Sequence, residues 1–519
     1  MKKKTVSAAT VVCIILSVVL AAITLAAWLV FLPAYRARHF TAATPNNLNT
    51  IAALESRAAY GDFYVSPDGN DKNSGTIDHP FRTVEAAQKA ARKTDKQYLS
   101  HVVVSILGGT YPTKGLTFTK ADSGTDSCSV IYCAYGNGEV IFDGGAIAGT
   151  QEASDGSALV KIDGASYFSL SGVSIVNAPG SGLVVKGSSV NVEGCRIQQV
   201  AGCGIECQGS KISVNNCQIS YTGASGVTVK GGDGKSLKSG ENVVDNNLIS
   251  YTSQLNANAP SVSVGGVGAV ISHNEIVNSP ACAIYYMGSG NQIEYNYIHN
   301  TVLTDCGQAA VDSPFFRWDC YGNTVRFNCL NLIGSKTSGG NFVGIRPCSG
   351  TEVSQNLLLN ICGDKAAGVL LSGCRDVTVS NNIFVNTGEA VTGADYHEDY
   401  AAEALELLSG SAYQSKAWQE AYPACAKLST DPQSENYAAI PANNKIVNNV
   451  AMQLKNSVGS FTDGFKRYAA IDENAVFSPG RTNVFADLEG GDYTVPKDSD
   501  VYRSMKEFRN LPFEEIGRY

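Results

Sequence analysis

The sequence predicts an all-β solenoid in which short parallel strands stack coil upon coil. The first observation is a repeated phrase, apolar-x-x-Asn/Cys-x-apolar, which recurs from about residue 170 to residue 451 with gaps near 22 residues. Longer gaps add loop residues to the bare coil, as stacked repeats allow. The second observation is that each run is short, β-branched and alternates with a period of two residues, which predicts strands and not helices. Stacked strands of this kind bury one face of every coil in a continuous core.

The central position of the phrase predicts a ladder of stacked side chains inside the coil. An inward amide at a tight bend can hydrogen-bond its equivalents one coil above and below, provided that the rungs are identical. Two early rungs are cysteines, whose thiols behave as small buried apolar groups. Hairpins of a β-sandwich would instead give spacings of about 8 to 12 residues. The central residues are Val173, Cys195, Cys217, Asn247, Asn274, Asn296, Asn328, Asn356, Asn382 and Asn449.

One further strand follows each phrase and predicts an outward surface for a ligand. In each copy the second residue points inward and the third outward, because side chains alternate along a strand. The outward column therefore reads Glu206, Thr228, Ser263, Tyr285, Asp312, Gly344, Leu370 and Thr392. A second column two residues further on reads Gln208, Lys230, Gly265, Met287, Pro314, Arg346, Ser372 and Ala394.

The N-terminus predicts a membrane anchor. Lys2, Lys3 and Lys4 precede an apolar run over residues 11–32, which is long enough to span a bilayer and longer than a secretory apolar region. The basic stub stays inside by the positive-inside rule. We expect a cytoplasmic stub with an uncleaved signal anchor over 1–35, a linker over 36–61, and a single-pass protein of the cell membrane. We expect its solenoid to lie outside the cell and the cell to be bacterial.

Charge and cysteine content narrow the class of partner. The formal net charge of -8 argues against nucleic acid, because phosphate binding needs basic faces. The 15 cysteines are scattered along a long solenoid, whereas disulfide frameworks belong to small domains short of core. A zinc site needs a second pair of Cys or His ligands, and neither Cys203 with Cys207 nor Cys128 with Cys133 is accompanied by one. We expect no metal, no cofactor and a monomer.

From residue 63 onward the sequence contains a series of specific motifs. They are Phe63-Tyr-Val-Ser-Pro-Asp-Gly-Asn-Asp71, Gly108-Gly-Thr-Tyr111, Asp122-Ser-Gly-Thr125, Gly231-Gly-Asp-Gly, Cys374-Arg-Asp376 and Pro512-Phe-Glu-Glu-Ile-Gly517. These motifs resemble those of the right-handed parallel β-helix carbohydrate-active proteins, and among them glycoside hydrolase family 141. The resemblance covers residues 62–519, and it implies a right-handed pectin-lyase-like superfold.

The same motifs divide the chain into regions. We expect an N-terminal capping module over residues 62–160 and parallel coils over residues 161–395. A helical insertion over residues 396–440 either overhangs the ligand surface or caps the last coils. The final coils and a C-terminal cap occupy residues 441–519.

The resemblance implies hydrolysis of a complex polysaccharide by paired carboxylates, yet the expected acids are missing. The stretch that carries an acid in relatives falls here on Gly307 or Gln308, and one coil later stands Arg346-Pro347. Glycoside hydrolysis needs two carboxyl groups about 5 to 9.5 Å apart. Coils stack at roughly 4.8 Å, so partners must lie within one or two coils.

Asp312 is the outward acid that remains near this position, with Asp305 or Asp319 of the same coil as its partner. Arg317 and Arg346 suit uronate carboxylates through bidentate bonds. The alternatives are that Asp312 and Arg346 form a structural ion pair and that Trp318 anchors a loop. The residues predicted to hold substrate are Tyr285, Arg317, Trp318, Arg346, Lys230, Asp395 and His397.

Three functions remain open from the sequence. The first is a surface-anchored, glycoside-hydrolase-like protein acting on polysaccharide or oligosaccharide. The second is a non-catalytic carbohydrate-binding or adhesin-like protein on the same scaffold, which the arginine at a carboxylate position favours. The third is a polysaccharide lyase, which needs a lysine or arginine base and usually clustered acids for calcium.

Overall fold

The computed structural model describes residues 61–519, except positions 98, 146–156, 305–306, 336–339, 396–397 and 454–456. The predicted anchor over 1–35 and nearly all of the linker lie outside the described residues. Within the described part of the chain, no helix has the length and apolar character to cross a membrane.

The chain winds through three parallel sheets, each of which receives one strand per coil. The first sheet is the one that the sequence analysis placed after each phrase. Two long strands, Ser181–Glu193 and Ile205–Asn215, continue from the first sheet into the second. The strands of the first sheet are Leu116–Thr119, Ala158–Asp163, Ser181–Glu193, Ile205–Asn215, Val227–Gly231, Val262–Val267, Ile284–Ser289, Ala309–Asp312, Val343–Arg346, Ala367–Ser372 and Glu389–Ala394.

The second and third sheets carry the two halves of the repeated phrase. The strands of the second sheet are Phe63–Val65, His101–Pro112, Ser129–Asp143, Phe168–Ser171, Val243–Asp245, Val270–Ser272, Gln292–Glu294, Thr324–Arg326, Glu352–Ser354, Thr378–Ser380, Asn444–Val447 and Ala469–Asp472. The third sheet also takes the ends of His101–Pro112 and Ser129–Asp143. Its own strands are Val173–Val176, Arg196–Val200, Gln218–Thr222, Leu248–Ser250, Glu275–Ser279, Tyr297–Thr301, Cys329–Ile333, Leu357–Ile361, Ile383–Val385, Val450–Met452 and Ala475–Phe477.

The pairings confirm the predicted parallel solenoid. Strands of the named sheets pair in parallel with their counterparts one coil away. The apolar residues that flank each bend face the core: Ile293 on the second sheet and Ile298 on the third, for example, are both fully buried. The repeated phrase therefore marks the bend between the second and third sheets.

The asparagine ladder is also confirmed. The Asn296 amide nitrogen donates to the Asn328 side-chain oxygen at 2.9 Å, and the Asn274 amide donates to the Asn296 oxygen at 3.0 Å. The ladder extends one rung beyond the predicted copies, to Asn474. At the other end the Cys217 backbone N–H donates to the Asn247 oxygen at 2.8 Å, so the thiol rungs continue the column.

An N-terminal module closes one end of the core. Its helix, Val84–Ala91, begins at the cap Thr83, whose hydroxyl accepts from the Ala86 N–H. Val84, Ala87 and Ala91 are buried in the main core. A short 3₁₀ helix, Lys120–Asp122, follows the strand Leu116–Thr119.

Two later segments pack against the outside of the coils. The insertion contains the helices Glu398–Gly410, Lys416–Ala421 and Pro423–Ala426, and its apolar side chains form a second core with Trp318 and Tyr321. The chain from Val484 to Ile516 covers the outer face of the third sheet, where Leu357, Ile383 and Val450 point outward and are buried. In the described part of the chain the remaining helices are Asp463–Tyr468, Asp500–Ser504 and the 3₁₀ helix Phe513–Glu515.

Candidate functional site

The outward side chains of the first sheet form one continuous surface, which we call the ligand face. Strand pairings place the predicted columns side by side over the middle coils. The first column runs Glu206, Thr228, Ser263, Tyr285 and Asp312. The second column runs Gln208, Lys230, Gly265 and Met287.

The prediction for the next coil was wrong by two residues. Arg346, and not Gly344, pairs with Asp312, because Ile345 pairs with Val311 as the inward residue. A side chain at Gly344 would point inward and approach the Leu358 Cδ2 atom at 2.7 Å. Most of the other predicted copies begin with such a small residue, for example Ala310. This signal would have identified Gly344 as the first residue of its copy.

Asp312 and Arg346 form a buried bidentate ion pair between neighbouring strands of this column. Arg346 donates from Nε to Asp312 Oδ1 at 2.7 Å and from Nη2 to Oδ2 at 2.5 Å. The carboxylate also accepts the backbone N–H groups of Ala309 and Ser313. Burial raises the pKa of Asp312, and Arg346 opposes the shift. The geometry is therefore that of the structural ion pair, one of the two alternatives stated from the sequence.

The rest of the Arg346 guanidinium is also occupied by the protein. Its Nη1 atom donates to the Gly307 carbonyl at 3.0 Å, and its Cζ atom lies 3.9 Å from the centre of the Phe315 ring. The Arg346 side chain is only 10% exposed and that of Asp312 only 1%. Neither group is presented to a ligand, in contrast to the roles that the sequence predicted for them.

Arg317 and Asp319 form a second bidentate pair, which lies nearer to the surface. Arg317 donates from Nε and from Nη2 to the two carboxylate oxygens of Asp319, each at 2.7 Å. The third nitrogen, Nη1, contacts the Met287 sulfur at 3.6 Å. The hydrogen bond to Asp319 raises the pKa of Arg317, so the guanidinium stays charged.

Trp318 lies between Arg317 and Asp319 in the chain, and its side chain points into the protein. Its side chain is 1% exposed, and its Nε1 atom donates to the Gly373 carbonyl at 3.0 Å. Trp318 therefore anchors the loop, which was the structural alternative, and it does not offer a ring face to sugar.

Tyr285 and Lys230 both lie on the ligand face. Tyr285 is half-buried beside Asp312, and burial, followed by the Asp312 charge, raises its pKa. Lys230 is exposed, and its Cγ atom lies 3.8 Å from where a Gly265 side chain would begin. The missing side chain at Gly265 thus leaves space beside the lysine stem.

Three further residues of the predicted site are Asp395, Asp305 and His397. Asp395 accepts a hydrogen bond from the Thr462 hydroxyl at 2.8 Å, which ties it to the chain that caps the last coils. Asp305 and His397 fall outside the described residues. His273 and His299 bond to Asp245 and Glu275 respectively, in the structural role that was expected of them.

A cleft opens at the edge of the ligand face, between the first sheet and the insertion. Its volume is about 260 Å³, and its floor includes Gly266 and Gly288. Both glycines have positive φ, and a side chain at either would collide with the backbone of the coil below at 1.9 Å. The walls are Lys235, Met287, Arg317, Asp319, Ser411 and Trp418.

Sequence reasoning did not assign Lys235 or Trp418 to this site. They are far apart in the chain and meet because the Trp418 Nε1 atom donates to the Gly234 carbonyl at 2.8 Å. A repeat pattern carries no information about such a contact between a loop and an insertion. Among the described residues, no group of three or more His, Cys, Asp or Glu side chains is arranged to hold a metal ion.

Comparisons with known proteins agree with this architecture. Residues 63–256 match a family model described as Pel9A-like, right handed beta helix region. Pectate lyase PEL9 of Emericella nidulans is 35% identical over 136 residues, which are 25% of this chain and 31% of that protein. The curated relatives are thus matched over less than a third of their length.

Solved structures support the fold over most of the chain. A PL6 family polysaccharide lyase from Pseudopedobacter saltans has a TM-score of 0.53 at 13% identity, covering 88% of this chain and 99% of that one. The PL6 family alginate lyase AlyGC has a TM-score of 0.55 at 14% identity, covering 84% of this chain and 57% of that one. The molecule is an all-β right-handed parallel β-helix with a few helices. The finer resemblance to glycoside hydrolase family 141 stays a prediction.

Proposed function

We propose that this protein acts on an acidic polysaccharide that lies along the ligand face, and that its chemistry is closer to a polysaccharide lyase than to a glycoside hydrolase. The observation that supports this proposal is which charged side chains at the ligand face have an ion-pair partner. Asp312 and Asp319 are each neutralised by an arginine, whereas Lys230 and Lys235 form no ion pair with a described carboxylate. Apart from Glu206, whose carboxylate accepts the Ser181 hydroxyl, the unpaired charges named here are cationic on a chain whose net charge is negative.

Hydrolysis fits these residues poorly. It needs one carboxyl group as acid and a second as base or nucleophile. Asp312 accepts four hydrogen bonds and is fully buried, and Asp319 holds Arg317 through both oxygens. Neither carboxylate is available to a substrate without breaking a bidentate pair.

Elimination places different demands on the protein. A base removes the proton next to a uronate carboxylate, the glycosidic oxygen leaves with a proton, and a double bond forms in the sugar. Cations near the carboxylate stabilise the negative charge that develops there. Lys230 takes the role of base, as the sequence analysis required of a lyase, and it acts in its neutral form, while Lys235 and Arg317 remain the cations. Tyr285 lies one column away from Lys230. The match of residues 63–256 to the Pel9A-like model and the 35% identity with pectate lyase PEL9 over 136 residues support this choice.

A second candidate is binding without cleavage. It is favoured by the Asp312–Arg346 pair, which fills the centre of the face with groups that already satisfy each other. In either case we propose that residues 11–32 anchor the protein in the cell membrane with the β-helix outside, because that apolar run is long enough to span a bilayer.

The test uses purified residues 61–519 with polygalacturonate, alginate and a neutral glucan. Elimination predicts ultraviolet absorbance from an unsaturated product on an acidic polymer, lost in Lys230→Ala. The matched control is Lys445→Ala, an exposed lysine on the second sheet. New reducing ends without absorbance would indicate hydrolysis, retained binding without products would indicate the second candidate, and no binding to any acidic polymer would refute the proposal.

A further inference from the structure

The cleft between the first sheet and the insertion has walls that are fixed in place. The Trp418 indole donates to the Gly234 carbonyl at 2.8 Å, and the Ser415 hydroxyl donates to the Lys235 carbonyl at 3.2 Å. The Cys425 thiol contacts the Trp318 carbonyl at 3.3 Å. These bonds tie the insertion to loops of separate coils, so the cleft is preformed.

Arg317 is held so that one nitrogen stays available to a ligand. Asp319 occupies Nε and Nη2, and the Asp319 side chain is only 9% exposed. Among the described residues, the one hydrogen-bond partner of Nη1 is a thioether sulfur, which is a weak acceptor. A carboxylate in the cleft would replace that contact with a charge-assisted hydrogen bond.

The other walls add a charge and an apolar surface. Lys235 brings a second cation to the cleft and has no ion pair with a described carboxylate. Met287 and Trp418 supply apolar contact, and Trp418 is nearly buried. With two cations and one anion among the lining side chains, the cleft carries a net positive charge.

The volume limits what the cleft can accept. About 260 Å³ lies below the range of roughly 300 to 1,000 Å³ that is usual for drug-sized ligands. One sugar residue fits this space, and a longer chain must extend from it along the ligand face.

We propose that this cleft is a subsite for one acidic sugar residue, whose carboxylate binds Arg317 Nη1 and Lys235. The inference rests on the proposed function, because it assumes that the ligand of the face is an acidic polysaccharide. It adds that the insertion creates an anchoring position for a uronate, beyond the columns of the sheet.

The experiment is calorimetric titration of residues 61–519 with digalacturonate and with alginate-derived diuronates, and with cellobiose as the neutral probe. We expect binding of at least one diuronate and no binding of cellobiose. Arg317→Gln should weaken diuronate binding about tenfold or more, as expected for loss of a charge-assisted contact. Arg481→Gln is the matched control, because Arg481 also pairs with an aspartate but lies far along the chain at the C-terminal cap.

Two further variants show whether a loss of binding comes from the cleft or from misfolding. Ser411→Leu leaves the Arg317–Asp319 pair intact and fills the cleft from its insertion wall, so it should also abolish diuronate binding. Arg317→Lys keeps the charge and should retain part of the affinity. Thermal unfolding shows whether each variant is folded.

The outcomes separate this inference from the proposed function. Polymer binding that needs Lys230, with diuronate binding unaffected by Arg317→Gln and Ser411→Leu, would overturn the subsite and leave the proposed function standing. Diuronate binding that needs Arg317, without any binding or cleavage of polymer, would support the subsite and refute the proposed function. Equal binding of cellobiose would overturn the assignment to acidic sugar.

Discussion

At the scale of the residue, ion-pair partners determine which charged side chains of the ligand face a ligand can reach. Asp312 and Arg346 lie on neighbouring strands and satisfy one another, whereas Lys230 projects from the same sheet with no such partner. The chemical types of all three were evident from the sequence. Their roles depended on register, because a shift of two residues moves Arg346 from one outward column to the other.

The Asp312–Arg346 pair gives a stability prediction. Arg346→Met leaves a buried carboxylate without its counter-charge, and loss of one partner of a buried pair typically costs about 3 to 5 kcal/mol. We expect a large fall in the urea midpoint of unfolding. The double variant Asp312→Leu with Arg346→Met should recover most of it, because no uncompensated charge remains.

The control for that prediction is Arg196→Met. Arg196 also pairs with a carboxylate, Glu139, but the two side chains are 47% and 50% exposed, and an exposed pair contributes about 1 kcal/mol or less. Equal effects of Arg196→Met and Arg346→Met would contradict the account of the buried pair.

At the scale of the element, the bends between the second and third sheets are held by the asparagine ladder. Each amide donates to the next rung and to a backbone carbonyl: the Asn296 amide, for example, reaches the Ile271 carbonyl at 2.8 Å. The residue before each rung adopts a positive φ, as His273 and Tyr295 do. The ladder thus satisfies polar groups that a tight bend would otherwise bury without partners.

Removing one rung should destabilise the solenoid more than removing an amide elsewhere. Asn296→Ala leaves buried donors and acceptors of Asn274, Asn328 and Ile271 without partners, at a cost of about 1 to 3 kcal/mol for each group left unsatisfied. We expect a loss of about 3 kcal/mol in the free energy of unfolding, measured by urea denaturation.

Asn215→Ala is the comparison for the ladder variant. Asn215 is a half-buried strand residue whose amide bonds only the Ser213 hydroxyl, so we expect a loss below about 1 kcal/mol. Similar losses for the two variants would show that the ladder position has no special energetic role.

At the scale of the whole molecule, the two long segments outside the coils cover different sheets. The insertion packs beside the ligand face and forms the cleft, and the segment from Val484 to Ile516 covers the third sheet. The insertion therefore lines the cleft at the edge of the ligand face. The third-sheet strand Leu357–Ile361 is apolar at consecutive positions because both its faces are covered.

The cover over the third sheet gives a prediction about the whole fold. Phe508 is 4% exposed and meets Tyr502 edge-on at 6.0 Å between ring centres. Phe508→Ala should cost about 3 to 5 kcal/mol, because it leaves a cavity. We also expect more binding of a fluorescent apolar dye, since the outer face of the third sheet becomes accessible.

Leu407→Ala is the control for that variant, because Leu407 is 45% exposed on the insertion. We expect its melting temperature and dye binding to match those of the parent. A stable Phe508→Ala variant without dye binding would mean that the C-terminal segment does not protect the third sheet.

The solenoid, the inward apolar residues, the asparagine ladder and most of the outward columns could be predicted from the sequence alone. These features repeat with every coil, so each copy reinforces the others. The pairing of Asp312 with Arg346, the pairing of Arg317 with Asp319 and the place of Trp418 beside Lys235 in the cleft became evident only in the tertiary structure. These contacts join single residues across coils and insertions, and their geometry depends on register and loop path, which a periodic pattern does not encode.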